Sequence, residues 1–251
     1  MSSLSYKTAL ITGASSGLGR GLAAWFASRG VKVYAAARRE DALASLKSEV
    51  GENITPLKLD VSDGEATFER VKALDVEVGG LDLIIANAGV GEDTRVKRFK
   101  WESVQRMIDV NVTGASATLL GALPAMVERK RGHLVGISSL AGLLPLPASS
   151  AYCATKSYLR MFLDSVRIDV AKYGIDVSSI HPGFVKSEMT AKNNPKEMAF
   201  LLETDDAVNR MGKAIVRRDE VFAFPWQLSS IIGAASALPR PARQAILKRL
   251  R

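Results

Sequence analysis

Residues 8–19, Thr8-Ala9-Leu10-Ile11-Thr12-Gly13-Ala14-Ser15-Ser16-Gly17-Leu18-Gly19, set the fold of this chain. The run 8–11 is short and apolar, as in a buried strand, and the glycines after it predict a sharp turn. Beyond the turn, apolar residues recur at helical spacing at Leu22, Ala23, Trp25, Phe26 and Ala27. A strand, a glycine-rich turn and a helix in this order suit a phosphate group, because glycines let backbone N–H groups approach it at the positive end of the helix. The alternative is an ordinary glycine-rich turn.

Apolar runs and helical patterns alternate along the 251 residues. Strands are predicted over 8–12, 31–37, 54–59, 81–86, 132–138, 175–181 and 221–224. Helices are predicted over 17–29, 40–50, 64–78, 102–130 and 151–173. Such alternation builds right-handed crossovers and a parallel sheet that is covered on both faces. We therefore predict a single-domain α/β fold, a doubly wound parallel sheet of the Rossmann type with about seven strands and helices on both faces.

Small polar residues follow two of the predicted strands. Asn87-Ala88-Gly89 comes directly after the run 81–86, and Ser138-Ser139 comes after the run 132–137. In an open parallel sheet, ligands bind at the carboxyl ends of the strands. We therefore expect both segments to lie at the edge of the sheet that carries the glycine-rich turn.

A tyrosine and a lysine four residues apart, Tyr152 and Lys156, indicate proton-transfer chemistry. On a helix the two side chains share a face, and a fixed positive charge favours phenolate over phenol. A free phenol titrates near pH ~10, so a neighbouring cation is needed for ready proton exchange at neutral pH. The alternative is a solvated helix face, which is the more common reason for this spacing.

Composition bounds the compartment and the chemistry. With one cysteine, Cys153, and no apolar signal-peptide run near the N-terminus, we expect a cytoplasmic protein. Two histidines and one cysteine supply a dedicated metal site poorly, so no metal is expected. The segment 136–140 lacks the closing glycine of a hydrolase nucleophile turn. Of the net charge of +8, five positive charges lie in residues 240–251, and the remaining balance of about +3 gives no reason to expect a nucleic-acid partner.

Several motifs, taken together and in this order, resemble the short-chain dehydrogenase/reductase family. They are T-G-x-x-x-G-x-G at Thr12 to Gly19, Asp60-Val61, Asn87-Ala88-Gly89, Asn111, Ser139, Y-x-x-x-K at Tyr152 to Lys156, and Pro182-Gly183. The resemblance covers nearly the whole chain. It implies an NAD(P)-dependent enzyme that transfers a hydride between nicotinamide and a carbonyl or secondary alcohol.

The resemblance also implies a role for each catalytic residue. Tyr152 gives or takes the proton, and Lys156 lowers the pKa of Tyr152 and bonds the nicotinamide ribose. Ser139 holds the substrate oxygen, with Ser138 as a rival for this role, and Asn111 helps to keep a water that links Lys156 to solvent. Cofactor contacts are expected from Gly13, Ser15, Ser16, Gly17, Leu18, Gly19, Arg38, Arg39, Asp60, Val61, Asn87, Ala88, Gly89, Tyr152, Lys156, Pro182, Gly183, Val185 and Ser187.

The end of the second predicted strand favours NADP(H) over NAD(H). Ala37 stands where a carboxylate would accept hydrogen bonds from an adenosine ribose, and Arg38-Arg39 follow at once. Two guanidinium groups suit a dianionic 2′-phosphate better than a bare ribose. The alternative is that both arginines are merely solvated.

The region after Pro182-Gly183 is predicted to be a mobile substrate lid over about 184–212. By resemblance, such a segment covers the cofactor and selects the substrate, which we expect to be apolar. Candidates for the pocket lining are Met189, Met198, Phe200, Leu201 and Leu202, about half of which are alternatively core. The catalytic domain is expected to span 1–239, including this lid, followed by a basic tail over 240–251.

The C-terminal region departs from the common family pattern. The uncharged run 221–239 approaches the length of a membrane span, but prolines, a glutamine and several serines argue against one. We predict an apolar helix over 228–237 and a basic amphipathic helix on which Ala242, Ile246, Leu247 and Leu250 share a face. This tail packs on a partner subunit, covers the substrate mouth or makes peripheral contact with an anionic membrane.

Two alternatives to an ordinary reductase stay open. One is a non-catalytic dinucleotide-binding sensor or interaction protein of the same fold, and the other is a membrane-surface enzyme that reduces lipid ketones. The presence of Asn111, Ser139, Tyr152 and Lys156 argues against the first. By resemblance, a homodimer or homotetramer is expected, formed through the helices over 111–126 and 152–173.

Overall fold

A computed structural model describes residues 4–191 and 198–248 of the chain. Its strands are β1 Thr8–Thr12, β2 Lys32–Ala37, β3 Ile54–Lys58, β4 Leu83–Ala86, β5 Gly132–Ile137, β6 Ile175–Pro182 and β7 Val221–Phe224. They form one sheet in the order β3-β2-β1-β4-β5-β6-β7, with every neighbouring pair parallel. The predicted α/β fold with about seven parallel strands is confirmed.

The strand order reverses at β1. The chain runs outward through β2 and β3 on one side of β1 and then returns to place β4 to β7 on the other. The register pairs Thr12 with Ala36 on one flank of β1 and Ile11 with Ile85 on the other. Loops that leave β1 and β4 diverge at this point, and the crevice between them is where open α/β sheets bind ligands.

Helices cover both faces of the sheet. They are α1 Gly17–Ala27, α2 Glu40–Val50, α3 Gly64–Glu77, α4 Trp101–Ile108, α5 Ala115–Leu120, α6 Leu123–Arg129, α7 Ser150–Val170, α8 Thr204–Arg217, α9 Trp226–Ala237 and α10 Arg240–Lys248. Successive side chains of a strand point to opposite faces of the sheet, so one strand contributes side chains to two hydrophobic cores. Leu10 packs in the core that includes Val71 of α3 and Leu159 of α7, whereas its neighbour Ile11 packs with Leu22 of α1 and Met211 of α8.

The predicted helix over 102–130 has the right ends but is not one regular helix. A π-helical turn, Asp109–Gly114, separates α4 from α5, and Pro124 lies in the first turn of α6. Proline is tolerated there because the N–H that it lacks would have no partner within the helix. Within the described ranges, Trp101–Arg129 taken as one helix is the single stretch that is long and apolar enough to span a membrane, and half of its most apolar window is buried in the protein.

Helix α8 was not predicted, and it shortens the expected lid. Residues 204–212 lay within the predicted lid, but they form the first part of α8, which packs against α1. Its buried side chains are those of Ala207, Val208, Met211, Ala214 and Ile215. The expected lid therefore contains a core helix from Thr204 onward, and before that helix Val185 is buried and Leu202 packs against the core. The candidate lid residues 192–197 lie outside the described residues.

A buried polar network lies near the amino-terminal edge of the sheet. The Tyr6 hydroxyl donates to the Ile215 carbonyl oxygen at 3.1 Å and lies 2.7 Å from His133 Nδ1. Because that hydroxyl has one proton, Nδ1 carries the imidazole proton and Nε2 accepts from Ser178 at 2.8 Å. Burial lowers the pKa of His133 from 6.5 to about 3, so the ring is neutral.

The two predicted C-terminal helices are present as α9 and α10. Ile232 of α9 packs with Leu140 and Leu144, while Trp226 and Ile231 are exposed. With 12 residues, α9 is shorter than the about 20 that a membrane span requires. Arg249, Leu250 and Arg251, which we included in the basic tail, lie outside the described residues.

Candidate active site

The loop after β1 depends on glycine. Gly13 has a φ of +69°, and a Cβ on it would lie 2.8 Å from the Ala88 Cα. A Cβ on Gly19 would lie 2.3 Å from the Gly13 carbonyl oxygen. Neither position has room for a side chain, so the loop lies tightly against the segment that follows β4.

The N-terminus of α1 follows this loop and has no side-chain cap among the described residues. Its N-cap, Ser16, makes no side-chain hydrogen bond to the helix, and the first turn contains no acidic residue. The first N–H groups of an α-helix have no partner within it and lie at the positive end of the helix dipole. Together with the glycine cradle, this donor set fits the pyrophosphate of a dinucleotide.

The loop after β4 is tied to the end of β1. The Thr12 hydroxyl accepts hydrogen bonds from the N–H groups of Asn87 and Ala88, at 3.1 and 3.2 Å. The Asn87 amide donates back to the Thr12 carbonyl oxygen at 2.9 Å. Asn87, Ala88 and Gly89 therefore form one wall of the crevice, as the sequence predicts.

Tyr152 and Lys156 lie on the first two turns of α7, and Ser139 follows β5. The Ser139 hydroxyl lies close enough to the Tyr152 phenol to lower its pKa. It accepts from the Ala141 N–H at 3.1 Å and donates to the Pro182 carbonyl oxygen at 3.5 Å. The Lys156 Nζ lies 5.8 Å from the centroid of the Tyr152 ring and donates to the Ile137 carbonyl oxygen at 2.8 Å. A Cβ on Gly89 would lie 3.3 Å from this Nζ, so the lysine reaches the loop after β4.

Burial dominates the acidity of both groups. Lys156 is buried, and loss of solvation lowers its pKa from 10.5 to about 8. Burial also raises the pKa of Tyr152, while the neighbouring Ser139 hydroxyl acts in the opposite direction. The pKa of this phenol thus lies above that of a free tyrosine, and the expectation that Lys156 lowers it stays a prediction.

Asn111 occupies the π-helical turn between α4 and α5. Its Oδ1 accepts from the Val90 N–H at 2.8 Å, and its Nδ2 donates to the Val90 carbonyl oxygen at 2.8 Å and to Thr155 Oγ1 at 3.0 Å. Both amide donors are thus used within the protein. The side chain holds the loop after β4 against α7. The water that the resemblance implies would have to donate its hydrogen bond to the second lone pair of Oδ1.

Three further residues hold this cluster in place by hydrogen bonds, a role that the sequence analysis did not predict for them. The Thr155 hydroxyl donates to the Tyr152 carbonyl oxygen at 2.9 Å, and the Ser138 hydroxyl donates to the Lys156 carbonyl oxygen at 2.8 Å. Ser138 is therefore directed at the α7 backbone, which leaves Ser139 as the serine beside the phenol. His181 Nδ1 lies 3.3 Å from the Ser139 carbonyl oxygen, and its Nε2 lies 2.7 Å from Ser179 Oγ.

A hollow of about 490 Å³ opens at the end of β3, between Arg38 and α4. Its lining includes Arg38, Ser62, Trp101, Arg106 and Val110. Asp60 lies near the same end of β3, with 3.8 Å between its Oδ2 and Nη1 of Arg38. Burial alone would raise the Asp60 pKa, but hydrogen bonds from Ser62 and the charges of Arg38 and Arg106 bring it below its usual value.

The guanidinium of Arg39 is bound on two sides. Its Nε and Nη2 donate to Ser15 Oγ at 3.3 and 3.2 Å. Its Nη1 and Nη2 donate to the two carboxylate oxygens of Glu188 at 3.3 and 3.1 Å. Hydrogen bonds from Arg39, and then the neighbouring Ser16 hydroxyl, hold the Glu188 pKa below its usual range.

The segment after β6 crosses over the glycine-rich loop. Gly183 donates to the Phe224 carbonyl oxygen at 2.7 Å, and Val185 is buried where it pairs with Leu202. A Cβ on Gly17 would lie 3.5 Å from the Ser187 Cβ. Pro182, Gly183, Val185 and Ser187 are thus placed along one side of the crevice.

The candidate lining residues of the lid divide between surface and core. Met189 and Phe200 are exposed, whereas Met198 is buried and Leu202 packs against the core. A second hollow, of about 350 Å³, lies between the loop 142–146 and α7 and is lined by Leu143, Leu144, Pro145, Leu146 and Cys153 among others. Neither hollow includes Tyr152 or the glycine-rich loop.

Comparison with known proteins gives a consistent result. The family model described as short chain dehydrogenase matches residues 7–198. An uncharacterized oxidoreductase of Myxococcus xanthus is 56% identical over 254 residues and covers 100% of both chains. One from Mycobacterium tuberculosis is 36% identical and covers 86% of this chain and 87% of its own length. A short-chain dehydrogenase from Sphingobium yanoikuyae, solved in complex with NADPH, has a TM-score of 0.81 at 26% identity and covers 97% of this chain and 96% of its own.

Proposed function

The chain belongs to the short-chain dehydrogenase/reductase family and is a nicotinamide-dinucleotide-dependent oxidoreductase, and from this premise we propose that it is an NADP(H)-dependent reductase of carbonyl compounds. The reverse reaction is the oxidation of a secondary alcohol. The observation that carries the proposal is the convergence of Ser139, Tyr152 and Lys156 beside the loop after β4.

Tyr152 is the proposed general acid. The bound dinucleotide supplies or accepts a hydride at its nicotinamide ring, and the substrate oxygen must gain or lose a proton in the same reaction. Because burial raises the pKa of Tyr152, its phenol carries a proton at neutral pH and is ready to donate it. This protonation state favours carbonyl reduction at neutral pH and alcohol oxidation at higher pH.

Ser139 and Lys156 stabilise the negative charge that develops on the substrate oxygen and on the Tyr152 phenol during the reaction. The Ser139 hydroxyl, next to the phenol, is a second donor for the substrate oxygen. Lys156 is buried yet retains its proton below pH about 8. Its ammonium then stabilises a phenolate left after proton donation and bonds the nicotinamide ribose. Asn111 keeps the loop after β4 in place through Val90.

Positive charge at the end of β2 supports NADP(H) as the cofactor. Arg38 and Arg39 are half-exposed, and Ser15 adds a hydroxyl beside Arg39. These groups provide the fork-shaped donors that a 2′-phosphate requires. The hollow next to Arg38 is the proposed site of the adenine, with Asp60 and Val61 as its expected neighbours near the end of β3. The Sphingobium yanoikuyae relative with NADPH is consistent with this choice.

Cofactor oxidation tests the proposal. NADPH and NADH are each supplied with a graded panel of carbonyl compounds, from small aldehydes to long-chain ketones, and the decrease in absorbance of the reduced cofactor is followed. We expect turnover of apolar ketones with NADPH in clear preference to NADH. Binding of NADPH without reduction of any compound would support the non-catalytic sensor instead, and a preference for NADH would overturn the role of the arginines.

The proposed assembly is a homodimer or homotetramer. Ala115 and Ala117, two of the residues predicted to lie in the interface, are buried within the monomer. Met161 and Ile168 of α7 are exposed and apolar, and Tyr158 is partly exposed on the same helix. The α7 surface therefore supplies the apolar contact that a partner subunit would cover.

A second candidate is enzyme action at a membrane surface on a lipid ketone. Helix α9 exposes Trp226 and Ile231, and α10 adds the cations Arg240 and Arg243. Residues 221–251 contain no acidic side chain. An apolar helix beside a basic one is the combination that binds anionic lipid, with tryptophan suited to the interface.

A further inference from the structure

The Glu188 carboxylate connects three segments at the mouth of the crevice. It lies in the segment after β6, and its partner Arg39 directly precedes α2. Arg39 in turn holds Ser15 of the glycine-rich loop. Ser16, the next residue of that loop, lies close enough to Glu188 to lower the pKa of its carboxyl group. The carboxylate thus lies where the loop after β1, the start of α2 and the segment after β6 meet.

The contacts of Glu188 match those that a phosphate would make. Both carboxylate oxygens accept from the fork of one guanidinium. Arginine binds carboxylate and phosphate by the same two-point geometry. Arg39, one of the donors proposed above for the 2′-phosphate, is therefore bound by an anion of the protein itself.

Neighbouring contacts fix the position of Glu188. The Lys186 N–H donates to the Leu202 carbonyl oxygen at 3.0 Å, and the Lys186 ammonium pairs with Glu203. The Ser187 N–H donates to Thr190 Oγ1 at 3.0 Å. Lys186 and Ser187 before Glu188 and Thr190 after it are thus hydrogen-bonded within the described part of this segment, which holds the backbone around Glu188 in place.

We propose that Glu188 is an internal competitor of the cofactor 2′-phosphate and thereby a determinant of cofactor specificity. This inference rests on the proposed function, since it assumes that Arg39 and Ser15 hold that phosphate. A ligand with a 2′-phosphate must displace the Glu188 carboxylate from Arg39. A ligand with a bare ribose does not need Arg39 and leaves the pair intact.

Charge decides the outcome of the competition. A phosphate carries about −1.5 to −2 charges at neutral pH, against one for the carboxylate, so it displaces Glu188. The pair is exposed, with 48% of the Arg39 side chain and 66% of the Glu188 side chain accessible. Its strength is therefore modest, and its loss changes affinity by a small factor rather than by orders of magnitude.

Equilibrium binding tests the proposal without turnover. Dissociation constants are measured by titration calorimetry for adenosine 2′,5′-bisphosphate, adenosine 5′-monophosphate, NADPH and NADH. The variants are Glu188→Gln, Arg39→Ala and the double variant. The matched control is Glu203→Gln, which removes one carboxylate from the same segment by breaking its pair with Lys186 but does not touch Arg39.

We expect Glu188→Gln to tighten the binding of the two 2′-phosphate ligands by about two- to fivefold and to leave the other two unchanged. Glu203→Gln leaves all four unchanged. In the Arg39→Ala background, the substitution at 188 has no further effect, because the competing contact no longer exists. Weaker binding of NADPH by Glu188→Gln, or an equal change for NADPH and NADH, would overturn the competition.

The failure of the proposed cofactor site has a different signature. If Arg39→Ala leaves the affinities for NADPH and adenosine 2′,5′-bisphosphate as in the wild type, Arg39 does not hold the 2′-phosphate and the premise fails. If Arg39→Ala weakens both ligands but Glu188→Gln changes neither, the phosphate site stands and the role of Glu188 is overturned.

Discussion

Lys156 donates a hydrogen bond to Ile137, with 2.8 Å between Nζ and the carbonyl oxygen, so helix α7 is fastened to the end of β5 at its second turn. The ammonium lies 5.8 Å from the centroid of the Tyr152 ring. A buried cation at this point is costly unless a negative charge appears nearby. Proton donation by Tyr152 would create that charge.

Removal of the phenol hydroxyl should abolish reduction but not cofactor binding. For Tyr152→Phe we expect kcat to fall by about 100- to 10,000-fold, the usual contribution of a positioned acid. NADPH affinity, followed by fluorescence titration, should remain within twofold, because the hydroxyl and not the ring is lost. The control is Tyr158→Phe on the same helix, whose hydroxyl contacts Ser116. Wild-type turnover in Tyr152→Phe would remove Tyr152 from the mechanism.

The pH profile should report on Lys156. Its charged form predominates below its pKa of about 8. We therefore expect kcat/KM for reduction to be constant at lower pH and to fall as the pH rises through about 8. Alcohol oxidation requires the Tyr152 phenolate and should rise with pH. Lys156→Arg keeps its charge at higher pH, so any remaining reduction should lose the decrease near pH 8. A wild-type profile that stays flat to pH 10 would contradict this assignment.

Cofactor choice should depend on Arg38. Hydrogen bonds to charged groups contribute about 1.5–3 kcal/mol, so Arg38→Ala should weaken NADPH binding by about 10- to 100-fold. NADH binding should change little, because it has no 2′-phosphate. Lys172→Ala, which removes one positive charge in the turn after α7, is the control for net charge. Equal losses for both cofactors would show that Arg38 does not recognise the phosphate.

The two histidines should make the fold sensitive to acid. Burial lowers the pKa of His133 to about 3 and that of His181 to about 4, against 6.5 in the unfolded chain. As the pH falls below 6.5, the unfolded state binds protons that the folded state does not, so stability decreases. Each histidine should cost about 1.5 kcal/mol of unfolding free energy between pH 6.5 and 5. Urea unfolding at the two pH values measures this loss.

Proton NMR checks the same prediction independently. The chain has only two histidines, so their ring signals are readily distinguished. Both should retain the chemical shifts of neutral imidazole at pH 5. A ring that titrates near pH 6.5 would contradict the buried network of His133 with Tyr6 and Ser178, or that of His181 with Ser179.

Membrane contact should depend on the cations of α10. We expect the full chain to float with liposomes that contain anionic phospholipid and to remain behind with neutral ones. Reversal of charge in Arg240→Glu with Arg243→Glu should abolish flotation, because the electrostatic attraction is lost. Lys172→Ala again serves as the charge control. Equal recovery of the wild type and the double variant would remove the second candidate function.

The regular elements could be predicted because in them the hydrophobic periodicity and the turn-forming residues indicate the same boundaries. Residues 8–19 combine a strand run, obligatory glycines and helical spacing, and the structure agrees in each part. Helix α8 carried a readable signal as well, since Ala207, Met211 and Ala214 recur at helical spacing. It was missed because the whole region after Pro182-Gly183 was assigned to a lid.

The remaining features depend on contacts between distant residues. The π-helical turn at Asn111 is recognised by its hydrogen bonds, which no local pattern encodes. The contact between Arg39 and Glu188 joins positions 149 residues apart. The lowered pKa of Lys156 follows from burial that only the assembled fold creates. Sequence motifs therefore predicted which groups meet but not how burial alters their acidity.

Helix α8 also bears on which part of this enzyme can be replaced without disturbing the fold. The stretch between Gly183 and Glu203 starts from a strand of the sheet and ends at a helix that is locked into the core by Met211 and Ile215. Both ends of this stretch are therefore fixed in position by the packed core of the protein. On the expectation that this stretch selects the substrate, its replacement by the matching stretch of another oxidoreductase should change substrate preference and leave Tyr152 and Lys156 in place on α7.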